Sequence, residues 1–106
     1  MIYKILREDE YMDFVVDGQT KGAPIDLKDK YIHLSTKEQL KGTLEKHFEE
    51  DEVLHLLAVD EKNLDNLKWE EARGGALFPH LYGVLSMSDV VDTWELDELH
   101  RLPRDL

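Results

Sequence analysis

The run "VLHLLAV", residues 53 to 59, constrains the fold of this chain more than any other stretch. Six of its seven residues are apolar, so it has no wet face, and a segment of strand length without one reads as a central strand covered on both sides. Other elements must supply that cover. The 106 residues, 42% of them apolar, suffice for one ordinary hydrophobic core, which predicts a single compact domain over residues 1–106.

The remaining elements follow from periodicity. "IYKIL", residues 2 to 6, is a short β-prone segment, and in "REDEYMDFVVDG" Tyr11, Phe14 and Val15 recur at helical spacing with Gly18 placed as a C-cap. Residues 19 to 30, "QTKGAPIDLKDK", set Gly22 and Pro24 among charges and read as a connection. "YIHLS" is the next strand. A period of two puts Tyr31, His33 and Ser35 on one face and Ile32 and Leu34 on the other.

A helix then starts, with Ser35 and Glu38, or Thr36 and Gln39, as its capping box. Leu40, Leu44 and Phe48 form its buried stripe, and Lys37, Lys41, Glu45 and Glu49 its outer side. Thr36, Thr43 and His47 stand at the stripe's edge, where they set hydrogen-bonding groups against the inner face. "LKWEE" reads as a strand, "ARGGALFPHLYG" as a Gly/Pro connection into a strand "LYGVLSM", and Val91 to Leu96 as a last strand before a charged tail, residues 96–106. Helices and strands interleave early and strands dominate late, the pattern of an α+β domain.

Composition excludes several functions. The absence of cysteine removes disulfides and thiolate-based metal, iron–sulfur or nucleophile sites. No run approaches the roughly 18 apolar residues of a membrane span, and "MIYKIL" lacks the pattern of a signal peptide. A cytoplasmic protein with no membrane partner is expected. Acidic residues outnumber basic ones 24 to 13, and the net charge of −11 repels phosphodiester backbones, which disfavours a nucleic-acid partner.

Chemistry therefore rests mainly with five histidines. His100 lies in the tail and reads as solvated; His55, inside the most apolar strand, is expected as a neutral ring satisfied by one hydrogen bond. His33, His47 and His80 are the site candidates, because each neighbours hydroxyl or aromatic groups. No histidine pair has i, i+4 or His-x-His spacing, so no metal site is predicted. Ser35 lacks a nucleophile-elbow pattern and is explained by capping, and Gly74–Gly75 lacks the rest of a phosphate-cradling loop. "WEEARGGALFPHLYG", residues 69 to 83, gathers Glu70, Glu71, Arg73, His80 and Tyr82, a mixture suited to a small-ligand pocket. Arg73 can hold a phosphate or carboxylate bidentately. The competing reading of that stretch is a surface turn closed by a Glu70–Arg73 ion pair.

Taken in order, the blocks "YKIL", "YIHLST", "QLKGTLEKHF", "LLAVD", "KWE" and "LFPHLYG" resemble domain-of-unknown-function family 952, a set of small bacterial proteins, over about residues 2 to 96. That family is similar in fold to the ADP-ribosyltransferase superfamily. The resemblance implies two small, mostly antiparallel sheets around a cleft, a small-molecule nucleotide ligand, and NAD as a substrate with no permanently bound cofactor. His33 followed by Ser35 and Thr36 matches the motif that implies contact with the adenosine-side ribose and the dinucleotide, and His80 or Tyr82 matches the residue implied to lie near nicotinamide. His33 and His80 are the expected catalytic residues, and Ser35, Thr36, Thr43, His47, Arg73 and Tyr82 the expected ligand-binding ones.

The implied reaction is transfer or hydrolysis at the nicotinamide ribosyl bond. A third motif residue, usually a glutamate that orients the other ribose, has no match: "LYGVLSM" carries no carboxylate, and Glu70, Glu71 and Glu95 do not align with that position. This gap favours an alternative, a noncatalytic small-ligand-binding or protein-interaction module. A third reading is a buried polar network of histidines and threonines that fixes register.

Overall fold

A computed structural model describes residues 1–48, 53–72 and 74–106 of the chain. The elements run β1 (Ile2–Arg7), α1 (Glu8–Asp17), β2 (Gln19–Thr20), α2 (Pro24–Asp29), β3 (Ile32–His33), α3 (Leu40–His47), β4 (Leu54–Val59), β5 (Leu67–Glu71), β6 (Leu77–Leu81), β7 (Leu85–Ser86) and β8 (Val90–Leu96). All strand pairing is antiparallel, in the sheets β1-β4-β8, β3-β6-β5 and the two-residue pair β2-β7. The α+β class is as expected, but a short third sheet joins the two anticipated. Among the described residues no helix is long and apolar enough to cross a membrane.

β4 is central because both of its faces are dry. Leu57 and Val59 join Ile2, Leu6, Phe14, Ile32, Leu34, Leu81 and Leu85 in one core, while Leu54, Leu56 and Ala58 join Tyr3, Ile5, Leu40, Leu44 and Leu96 in the other. The register sets Ile2 beside Val59, Lys4 beside Leu57 and Leu6 beside His55. Alternation thus places Lys4 and His55 on the apolar face that looks toward α1 and β3-β6-β5.

α1 begins at Arg7, whose N–H donates to Glu10 Oε1 at 2.9 Å, and Glu8, Asp9 and Glu10 favour its positive end. It stops at Gly18, which takes φ of 77° and donates its N–H to the Phe14 carbonyl at 2.8 Å. Phe14 is buried and Tyr11 partly so, but Val15 faces solvent with Met12 and Val16.

Several segments depart from the sequence reading. Residues 19 to 30 are not a bare connection: they hold β2 and α2, the latter started by Pro24 at its first position, where a missing N–H costs nothing. "LFPHL" is a strand, the middle one of its sheet. The β3–β6 ladder spans only Ile32↔Leu81 and His33↔His80, so Pro79 sits at its end and its carbonyl accepts the Leu34 N–H at 3.0 Å. "LYGVLSM" is divided between the end of β6 and β7. Strand "YIHLS" keeps only Ile32–His33 in the ladder, with Ser35 bridging Tyr3 of β1.

The helix after it opens with a 3-10 turn, and Thr36 with Gln39 is the pair that caps it: the Thr36 N–H donates to Gln39 Oε1 at 3.0 Å. Ser35 is not the cap, because its hydroxyl meets Thr43 Oγ1 at 3.0 Å. The tail is not simply charged, since Leu102 and Leu106 pack against the second core. Glu49 and Arg73 lie outside the described residues.

Candidate functional site

The row Ile32–Leu81–Leu67 faces the core, so the next row across β3-β6-β5, His33–His80–Lys68, faces outward. Antiparallel pairing therefore brings two histidines 47 residues apart in sequence side by side, their rings 5.5 Å between centroids and edge to face. Tyr31 lies against both, 4.6 Å from His33 and 4.1 Å from His80, and 5.2 Å from Tyr82. The result is an aromatic floor, with His80 buried beneath and His33 half-buried at its edge.

Each histidine is oriented by carboxylate. His33 Nδ1 lies 2.6 Å from Asp26 Oδ1 and its Nε2 3.0 Å from Asp29 Oδ2. Ionised carboxylates only accept, so both contacts are hydrogen bonds at once only when both ring nitrogens carry hydrogen, as in the imidazolium. On the other side His80 Nδ1 stands 2.8 Å from Glu70 Oε1, and the Tyr82 hydroxyl donates to the same oxygen at 2.6 Å. With Nδ1–H given to Glu70, Nε2 of His80 is the ring nitrogen left for another partner.

Electrostatics follow from these partners. Burial alone would raise the Asp26 carboxyl, but the hydrogen bond from His33 and the Lys4 ammonium outweigh it and hold it at about 2. Asp26 also accepts Lys4 Nζ at 2.7 Å, the Ala23 N–H at 2.7 Å and the His33 N–H at 3.0 Å. Burial pulls the Lys4 ammonium down, with Asp26 opposing. The Tyr82 and then the His80 hydrogen bonds keep the Glu70 carboxyl below its ordinary value, and in return Glu70 pushes the Tyr82 phenol up to about 12.

Asp26 can reach these partners only because the chain passes close by at Gly22. That residue has φ of 104°, and a Cβ there would overlap the Asp26 carboxylate. Gly22→Ala is therefore expected to cost about 2–3 kcal/mol, from left-handed strain plus displacement of Asp26. Urea unfolding measures it. A loss under 0.5 kcal/mol, on the order of an ordinary surface change, would show that the Asp26 cluster tolerates displacement.

Of the residues expected at the site, His33, His80 and Tyr82 come together. Ser35 and Thr43 pair with each other at the α3 boundary, and Thr36 is engaged in capping. His47 is exposed at the end of α3. Partial desolvation, then Lys46, with smaller effects from His33, Arg7 and Lys4, lowers its proton affinity. The expected Glu70–Arg73 ion pair lies outside the described residues; among them, Glu70 Oε1 meets His80 and Tyr82. Asp26, Asp29, Lys4 and Tyr31 were not among the expected site residues. Pro24 followed by Asp26 is a helix-start signal that would have located α2, but nothing in sequence spacing joins Asp26 to Lys4.

A cavity of about 280 Å³ adjoins the cluster through Tyr31 and Asp26, with Lys21, Lys30, Leu27 and Val84 around it. It lies just below the usual 300–1,000 Å³ range of ligand pockets.

Comparison with solved structures finds the crystal structure of protein CC0527 from Caulobacter crescentus, 45% identical, with a TM-score of 0.87, covering 91% of this chain and 85% of that one. The solution NMR structure of the same protein is 44% identical, with a TM-score of 0.80, covering 98% and 87%. Comparison with curated proteins gives no match. The profile of the family described as "Protein of unknown function (DUF952)" matches residues 5–93, a span that includes both histidines, all three carboxylates around them and both tyrosines. The chain belongs to the DUF952 family.

Proposed function

We propose that this protein binds NAD or an ADP-ribose-like nucleotide on the outer face of β3-β6-β5 and acts at the nicotinamide ribosyl bond, as a transferase or glycohydrolase. The observation that carries the reading is Glu70, fixed by His80 and Tyr82 on the face that also presents His33. As the C–N bond breaks, its electron pair leaves with nicotinamide and positive charge develops on the ribosyl carbon. A preorganised carboxylate beside that carbon stabilises the charge where it forms. The Nε2–H of His33, exchanged from the partly exposed Asp29 carboxylate, donates to a ribose hydroxyl, the tyrosine rings offer flat surface to a base or to nicotinamide, and Lys21 and Lys30 supply positive charge for phosphate.

A noncatalytic role has its own support. Both His33 nitrogens and one Glu70 oxygen already have internal partners, as a network that only fixes register would.

Thermal unfolding with NAD, ADP-ribose and nicotinamide mononucleotide separates these roles. At about a hundred times its dissociation constant a ligand adds about 2.7 kcal/mol, which raises the midpoint of a domain this size by roughly 10–20 °C. The expected result is such a shift with NAD and ADP-ribose, lost in His33→Ala, and nicotinamide release from NAD. A shift without release leaves a binding module, and no shift with any of the three removes the nucleotide reading.

A further inference from the structure

A second cluster of ligating side chains lies on another sheet. In the register of β1-β4-β8, His55 stands between Leu6 and Glu95, and Glu8 follows β1 as the first residue of α1. One ligating atom from each of Glu8, His55 and Glu95 lies within 4.8 Å of the other two. The expectation of a hydrogen-bonded His55 is not met among the described residues: its Nε2 is fully buried and has no hydrogen-bond partner among them. The ring is held instead by Tyr11, stacked at 4.1 Å and 11°.

His55 Nε2 points toward a carboxylate without bonding to it. Glu8 Oε1 is 3.8 Å away, too far for a hydrogen bond. Two donors each about 2.0–2.1 Å from one tetrahedral ion stand roughly 3.4 Å apart, so this spacing needs only a small movement to become a coordination edge. Both glutamates are exposed and able to rotate, while the imidazole is fixed by stacking. One nitrogen with two carboxylate oxygens suits a borderline divalent ion better than magnesium or calcium, which prefer oxygen alone. Three protein donors leave a further position for water.

We propose that Glu8, His55 and Glu95 form a binding site for one divalent transition-metal ion of the zinc type, which ties the first turn of α1 to β4 and β8. Sequence spacing predicted no such site because its ligands come from three elements distant along the chain. The inference does not depend on the nucleotide reading.

The test is a calorimetric titration of the metal-free full chain with Zn2+, with Mg2+ as comparison, alongside thermal unfolding and nitrogen-15 spectra of the histidine rings. Expected are one equivalent of zinc bound, a change in the His55 Nε2 resonance, and a higher unfolding midpoint. At free zinc a hundred times Kd the folding equilibrium constant rises about a hundredfold. The double variant Glu8→Gln/Glu95→Gln, altered only at exposed side chains, is expected to change its metal-free unfolding midpoint by no more than a few degrees, through the lost charge at the start of α1, and to bind zinc at least tenfold more weakly, whereas His33→Ala binds it as the natural protein does. Absence of saturable binding, equal affinity in the double glutamine variant, or an unmoved His55 resonance overturns the proposal.

Discussion

Glu70→Gln is expected to slow nicotinamide release from NAD by about 10²–10³-fold while ADP-ribose affinity changes only a few-fold. The substitution preserves shape and one acceptor oxygen for Tyr82 but removes the negative charge, and loss of one preorganised group aimed at developing charge costs about 2.7–4 kcal/mol of barrier. Ground-state binding through His33 and the tyrosine rings does not depend on that charge. A fall in kcat with KM nearly constant is therefore the signature of the proposed role. If release and ADP-ribose binding weaken together, Glu70 only shapes the surface.

Proton linkage offers an independent reading of the same contacts. Since Tyr82 and His80 hold the Glu70 carboxyl below its ordinary value, activity should persist to lower pH than an unperturbed glutamate allows. Tyr82→Phe removes the larger of these two influences and is expected to move that acid limit upward. The Tyr82 phenol itself should resist ionisation until about 12, because its anion would sit beside Glu70; ultraviolet titration detects it.

Asp26→Ala is expected to destabilise the domain by about 3–5 kcal/mol, because it leaves Lys4 as a buried charge without its anion. Lys4 and Asp26 are both buried and 2.7 Å apart. Removing both charges, as in Lys4→Met/Asp26→Ala, should recover part of the loss, since an apolar side chain at Lys4 continues the face made by Ile2 and Leu6. Urea unfolding of the four forms closes the cycle, and a double variant as unstable as the sum of the singles would mean that the pair does not couple.

The acid dependence of stability has a definite sign. Asp26 ionises at about 2 in the fold against an ordinary value of 3.8, so its contribution is fully present above that ordinary value and disappears as pH falls through about 2. The shift corresponds to about 2–3 kcal/mol. Asp26→Ala should therefore flatten the stability curve over that interval, and an unchanged slope would locate the acid sensitivity elsewhere.

The sequence by itself determined the elements whose signal is local. Seven residues with no polar face could only be an interior strand, which β4 is; helical spacing around Phe14 and Gly18 after it gave α1 and its stop; the blocks from "YKIL" to "LFPHLYG" gave the family. α2 and β6 were hidden because Pro24 and Pro79 look like breaks, and each is tolerated only through context: a helix first turn, and the end of a two-residue ladder.

Tertiary structure alone decided the site. His33 and His80 meet because an antiparallel register sets them opposite one another, and Glu70 joins them because β5 pairs with the far edge of β6. Asp26 reaches Lys4 and His33 only once Gly22 lets the backbone approach. The same holds for Glu8, His55 and Glu95. Distances between side chains far apart in sequence are set by strand register and core packing, and neither residue type nor spacing along the chain encodes them.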